Sequence, residues 1–121
     1  MLLGPIDAIR VFTFDMRTAR PFYTDTLGLK ATLTTDDIAI FDTGGARLIL
    51  ETADPDDADE RDLVGRFVGL SFAVDNIDNV CTELQNRGAR LDDPPAQQDW
   101  GGTLAHVKDP DGNVLTLVQY P

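Results

Sequence analysis

The chain has 121 residues, 42% of them hydrophobic, with 21 acids against ten bases for a net charge of −11. That field repels nucleic acid and anionic membrane surfaces and attracts cationic small molecules. A lone cysteine, Cys81, excludes an intrachain disulfide and suits a reducing compartment. There is no charged-then-apolar leader and no apolar run near the ~20 residues that span a bilayer, so a soluble, cytoplasmic protein is expected.

The first element is "AIRVFTFD" (Ala8 to Asp15), an alternating strand ending in aspartate. Next, "TARPFYTDTLG" predicts a helix with Ala19, Phe22, Tyr23 and Leu27 on one face, Pro21 in its opening turn and Gly28 as its stop. Three strands follow: "LKATLT", "DIAIFD" and "ARLILE". "ADPDDADERD" (Ala53 to Asp62), with six acids and one arginine, predicts a solvated linker. A second alternating strand, "GLSFAVD" (Gly69 to Asp75), precedes a helix in "NIDNVCTELQNRG". There Ile77, Val80, Cys81 and Leu84 recur at helical spacing and Gly88 is the stop. "ARL", "TLAHVK" and "NVLTLVQ" close the chain as strands. The last two are joined by "DPDG", where Pro110 and Gly112 suit a type I turn and the left-handed residue after it.

Each half therefore reads strand, helix, strand, strand, strand. "DTGGARLIL" and "DPDGNVLTL" share Asp, Gly, Leu and Leu at matching places, which makes the chain a tandem repeat of one βαβββ unit. The expected class is α+β: one domain over 1–121, with module one at about 5–52, an acidic linker at 53–65 and module two at about 66–121. Strand alternation divides each strand between a helix side and an opposite side. Ile9, Val11, Leu48, Leu50, Leu70, Phe72, Val74, Leu115 and Leu117 fall on the helix side. Ala8, Arg10, Phe12, Phe14, Arg47, Ile49, Glu51, Gly69, Ser71, Ala73, Val114, Thr116 and Val118 fall opposite, a mixture that suits a concave ligand surface.

"FYTDTLGL", "LILE", "VGLSFAVDNID" and "KDPDGNVLTL", in this order and over essentially the whole chain, resemble the vicinal oxygen chelate superfamily. That group includes glyoxalase I, bleomycin resistance proteins, fosfomycin resistance enzymes and extradiol dioxygenases. The resemblance implies a cup-shaped mixed sheet built from the two modules, and in many members a divalent metal held by His or Glu. Carried over by position, those ligands fall at Ala8, Gly69, Thr116 and Ile49, none an imidazole or carboxylate. Glu51, two residues along from Ile49, is a lone carboxylate, whereas a catalytic divalent ion wants about three protein ligands. No metal and no other cofactor is therefore expected.

Other residues then carry the candidate site. Arg10 on a cavity face needs an acidic partner or an anionic ligand group, and Glu51 is a plausible partner. Phe12 and Arg47 share that surface. His106, the only histidine, resembles in position a substrate-contacting tyrosine of fosfomycin-type relatives; it is the candidate catalytic residue, or else an ordinary strand histidine. Trp100 in "QDWGG" resembles a tryptophan–glycine pair near bound drug in bleomycin resistance proteins, or is a loop anchor. Thr116 completes the set. Two functions are open: a metal-independent protein sequestering a cationic or planar antibiotic or metabolite, and a lyase-, isomerase- or dioxygenase-like enzyme acting on a small polar substrate. The partners expected are a small molecule and a second copy in a homodimer, with no nucleic acid and no membrane. Whether the modules pair within one chain or across two stays open.

Overall fold

The computed structural model describes residues 2–121. The first half builds a four-stranded sheet from β1 (Ala8–Thr13), β2 (Lys30–Thr34), β3 (Ile38–Asp42) and β4 (Arg47–Thr52), in the order β1-β4-β3-β2. The second builds another from β5 (Phe67–Ala73), β6 (Ala96–Gln97), β7 (Thr103–Lys108) and β8 (Val114–Gln119), ordered β5-β8-β7-β6. In both, the first strand of the unit runs parallel to its fourth and the other pairs are antiparallel. The two units thus share one topology, as the sequence repeat implies. β1 and β5 are edge strands, and the sheets are not hydrogen-bonded to one another.

Asp15 starts α1 (Met16–Pro21): its extended backbone (φ −144°) stops β1, and its carboxylate accepts from the Arg17 N–H at 3.0 Å and the Thr18 hydroxyl at 3.0 Å. This start corrects the expected position of Pro21, which closes α1 instead of opening it. Without an N–H, Pro21 cannot donate to the carbonyl four residues back. The chain continues as a wider π-helical turn, Phe22–Thr26, whose Leu27 N–H donates to the Phe22 carbonyl at 2.9 Å. That turn seats Phe22 and Tyr23 in the core, edge to face with centroids 5.1 Å apart, and Tyr23 stacks on Phe41 at 5.7 Å.

Two more sequence expectations change. The acidic linker contains one exposed helical turn, α2 (Ala58–Arg61), because the Asp57 carboxylate caps the N–H groups of Asp59 and Glu60. "ARL" makes a single bridge, Arg90 to Lys108, and the edge strand lies further on at Ala96–Gln97. Pro94 and Pro95 interrupt the ladder between the two, since neither has an N–H to pair. The second helix, α3 (Ile77–Asn86), follows its periodicity: Asn76 caps it, and Ile77, Cys81 and Leu84 are buried.

In β5, Phe67 pairs with Val114 and Ser71 with Thr116, so four residues of one strand span two of the other. Gly69 absorbs the bulge at φ +80°, a conformation costly for other residues. The excess is even, so the faces keep their parity. Leu70 is buried on the helix side while Ser71 and Ala73 are exposed on the other.

The helix sides share one core: Val11, Leu48, Leu50 and α1 of the first unit pack with Leu70, Val107 and Leu115 of the second. The Asp109–Asn113 turn fastens the units together. Fully buried Asn113 donates to the Phe12 carbonyl at 2.8 Å and accepts from the Gly65 N–H at 2.8 Å. Tyr23 donates to buried Asp109 at 2.6 Å, and the Phe14 N–H donates to Asp111 at 3.4 Å. The equivalent turn of the first unit, Thr43–Ala46, forms no side-chain hydrogen bond to the second sheet; Thr43 bonds only the Ala46 carbonyl.

Candidate ligand cleft

The β7 and β8 strands put Leu104, His106, Lys108 and Val114 on the side of the second sheet away from α3. There they floor a cleft of about 500 Å³, a volume typical of small-ligand sites. Phe67 forms one wall, its ring centroid 6.1 Å from that of His106 and nearly perpendicular to it. The strap between α3 and β7 forms the other wall through Asp92, Asp93 and Pro94. Asp92 ties the strap to the floor, accepting from Lys108 Nζ at 2.7 Å and Arg90 Nε at 3.0 Å. Lys108, then Arg90, hold its carboxyl below the usual carboxylate range. The floor is mainly apolar, with His106 as a polar group exposed within it.

His106 and Thr116 are directly opposed across β7 and β8, and His106 Nδ1 lies 3.1 Å from the Thr116 hydroxyl. Thr116 is buried beneath that contact. The remaining candidates lie elsewhere. On β1 and β4, Glu51 takes both guanidinium contacts of Arg10, at 3.0 Å from Nε and 2.7 Å from Nη2, and the guanidinium lies 5.2 Å from the Phe12 ring centroid. The pairing of Arg10 with Glu51 is the one expected from the sequence. Arg47 bonds Asp7 at 2.6 Å in an exposed position. Trp100 is 53% exposed, 6.0 Å from the Tyr120 ring, and its indole folds onto Gly102, where a Cβ would collide with it.

Within one chain the structure therefore brings His106 and Thr116 together, and Arg10, Phe12 and Glu51 together. Arg47 and Trp100 join neither group. Sequence reasoning missed Phe67, Asp92, Asp93 and the role of Lys108. Phe67 shares parity with Gly69 and Ser71, so a strand begun two residues earlier would have found it. The strap carboxylates carry no periodic signal.

A divalent metal does not fit these residues. Ala8, Ile49 and Gly69 offer no side-chain donor, the Thr116 hydroxyl is engaged with His106, and both Glu51 oxygens are taken by Arg10. Among the described residues no three His, Cys, Asp or Glu side chains converge on one point. No helix among them is long and apolar enough to cross a membrane.

The family model described as Glyoxalase/Bleomycin resistance protein/Dioxygenase superfamily matches residues 5–117. The chain belongs to that superfamily. The fold of the superfamily recurs in a member from Sphaerobacter thermophilus DSM 20745, with a TM-score of 0.81 at 24% identity over 98% of this chain and 99% of that one. TnmS3, an antibiotic binding protein from Streptomyces sp. CB03234, is 28% identical with a TM-score of 0.80, covering 100% of this chain and 99% of its own. In sequence, the uncharacterized protein YraH of Bacillus subtilis (strain 168) is 28% identical over 120 residues, 90% of this chain and 93% of that one. One scaffold hosts many chemistries in this superfamily, so function has to be argued from the site.

Proposed function

We propose that this superfamily member is a metal-independent binding protein for flat, cationic small molecules, antibiotics among them, and that it works as a homodimer. The observation that carries this reading is the cleft itself: an apolar floor and an aromatic wall, acidic residues on the strap, and too few free donors for a metal. A flat ring has Phe67 and Leu104 to lie against. A cationic substituent is favoured by Asp93 and by the net charge of −11, which also speeds its arrival. The 28% identity to an antibiotic binding protein supports the same reading. The homodimer follows from the open edges of β1 and β5 and from the split candidates: a second copy could bring an Arg10–Phe12–Glu51 face opposite the His106 cleft.

Calorimetric titration with planar amines, neutral planar compounds and planar acids, each with and without chelator, tests this. Planar amines should bind most tightly, with unchanged affinity in chelator, while sedimentation reports a dimer. Binding that disappears in chelator, or a preference for the acids, would overturn it.

A second reading rests on the exposed His106 beside the Thr116 hydroxyl, which could serve in metal-free proton transfer on a polar substrate. It requires turnover that His106→Ala abolishes; turnover that survives the substitution removes it.

A further inference from the structure

A separate cleft of about 490 Å³ opens where the start of α1 meets the β2–β3 turn and the end of β4. It shares no residue with the His106 cleft. Arg17, Arg20, Phe14 and Asp36 are the groups that give it chemistry. Basic side chains are scarce in this chain, ten against 21 acids, and Arg10, Arg47, Arg87, Arg90 and Lys108 are all in ion pairs. Arg17 and Arg20 are not. Among the described residues neither guanidinium has an ion-pair or hydrogen-bond partner, although Arg20 is half-buried. A planar fork of donors partly withdrawn from water and lacking an acceptor is suited to a carboxylate.

The acids beside them differ in availability. The Asp15 carboxylate is committed to capping α1 through the Arg17 N–H and the Thr18 hydroxyl. The Asp36 carboxylate is exposed and has no partner among the described residues. The Phe14 ring, 43% exposed, borders the same space. The cleft thus offers two free cations, one free anion and an aromatic surface.

We propose that this cleft binds a small zwitterion with a flat apolar part, of the aromatic α-amino acid class. Its carboxylate would go to Arg17 and Arg20, its ammonium to Asp36, and its ring onto Phe14. The charge balance selects this class. A phosphate dianion meets Asp15 and Asp36 at close range and a protein field of −11, while a simple cation meets two guanidinium groups. A zwitterion has no net charge for the overall field to repel, and each of its ends finds an opposite charge.

The test is a titration of isotopically labelled full chain with L-phenylalanine, followed by amide NMR shifts. Parallel titrations use 3-phenylpropionate, phenethylamine and inorganic phosphate. L-phenylalanine should shift residues 14–20, 35–37 and 52, leave the amides around His106 in place, and bind more tightly than the other three. Arg20→Gln should weaken it about tenfold or more, the effect of losing roughly 1.4 kcal/mol. Asp36→Asn, in an exposed turn, should weaken L-phenylalanine but not 3-phenylpropionate. Shifts confined to the His106 cleft, phosphate binding at least as tight, or unchanged affinity in both variants would each overturn the proposal.

Discussion

Tyr23→Phe removes one hydroxyl from the joint between the two units. In the wild type that hydroxyl donates at 2.6 Å to Asp109, which is 5% exposed. The remaining donors to Asp109 stay: the Asp111 and Asn113 N–H groups to one oxygen, the Asn113 amide to the other. One bond to a charged acceptor is therefore lost, with no change of shape in the core. Such bonds contribute about 1.5–3 kcal/mol. With an unfolding entropy of roughly 2.1 cal/mol/K per residue, that lowers Tm by about 6–12 °C.

The pH dependence follows from the signs. Burial pushes the Asp109 carboxyl up, while hydrogen bonds from Tyr23 and Asn113 pull it down. Removing the Tyr23 bond raises it further. A carboxyl raised in the folded state contributes stability that is present at low pH and lost as pH rises through its folded value. The deficit of the variant should accordingly be largest near neutrality and shrink on acidification. Burial, then Asp109, also raises the Tyr23 phenol well above its ordinary value of 10.0. The wild type should therefore lose stability as pH rises past about 10 by a component that the variant lacks. Denaturant unfolding of both proteins across pH measures all three effects. A loss below about 0.5 kcal/mol, or one that grows on acidification, would refute the reasoning.

Phe67→Ala, at a residue 63% exposed, should change stability by no more than about 0.5 kcal/mol yet weaken planar ligands about tenfold, as denaturation and calorimetry can show. Gly69→Ala should cost roughly 1–2 kcal/mol for the left-handed backbone alone, since its Cβ would meet nothing closer than a Phe67 ring atom at 3.9 Å. Denaturant midpoints report it. Gly102→Ala should expel the indole of Trp100 into water, red-shifting its emission while leaving far-UV circular dichroism unchanged.

The fold was legible because its signals were local. Strand alternation found the helix-side core of β1, β4, β5 and β8, and helical spacing found Ile77, Cys81 and Leu84. What failed depended on neighbours. Pro21 looks like a helix opener until Asp15 fixes the start five residues before Met16 has turned the chain, and the Asn113 side chain bonds backbone from Phe12 and Gly65, which no spacing rule anticipates. In the cleft, the opposition of His106 and Thr116 follows from parity and register across one hairpin. The separation of Arg10 and Glu51 from them does not, because parity assigns residues to a face without saying how two sheets of one chain are placed.

The divergence of the two equivalent turns has a practical corollary for anyone remodelling this scaffold. Extra residues spliced between Gly44 and Gly45, both exposed, should be accommodated as a harmless excrescence. The same splice between Asp109 and Asn113 would unclip one half of the molecule from the other. Ancestral symmetry has given way to a division of labour: one loop is free to drift, while its twin is held by what it fastens.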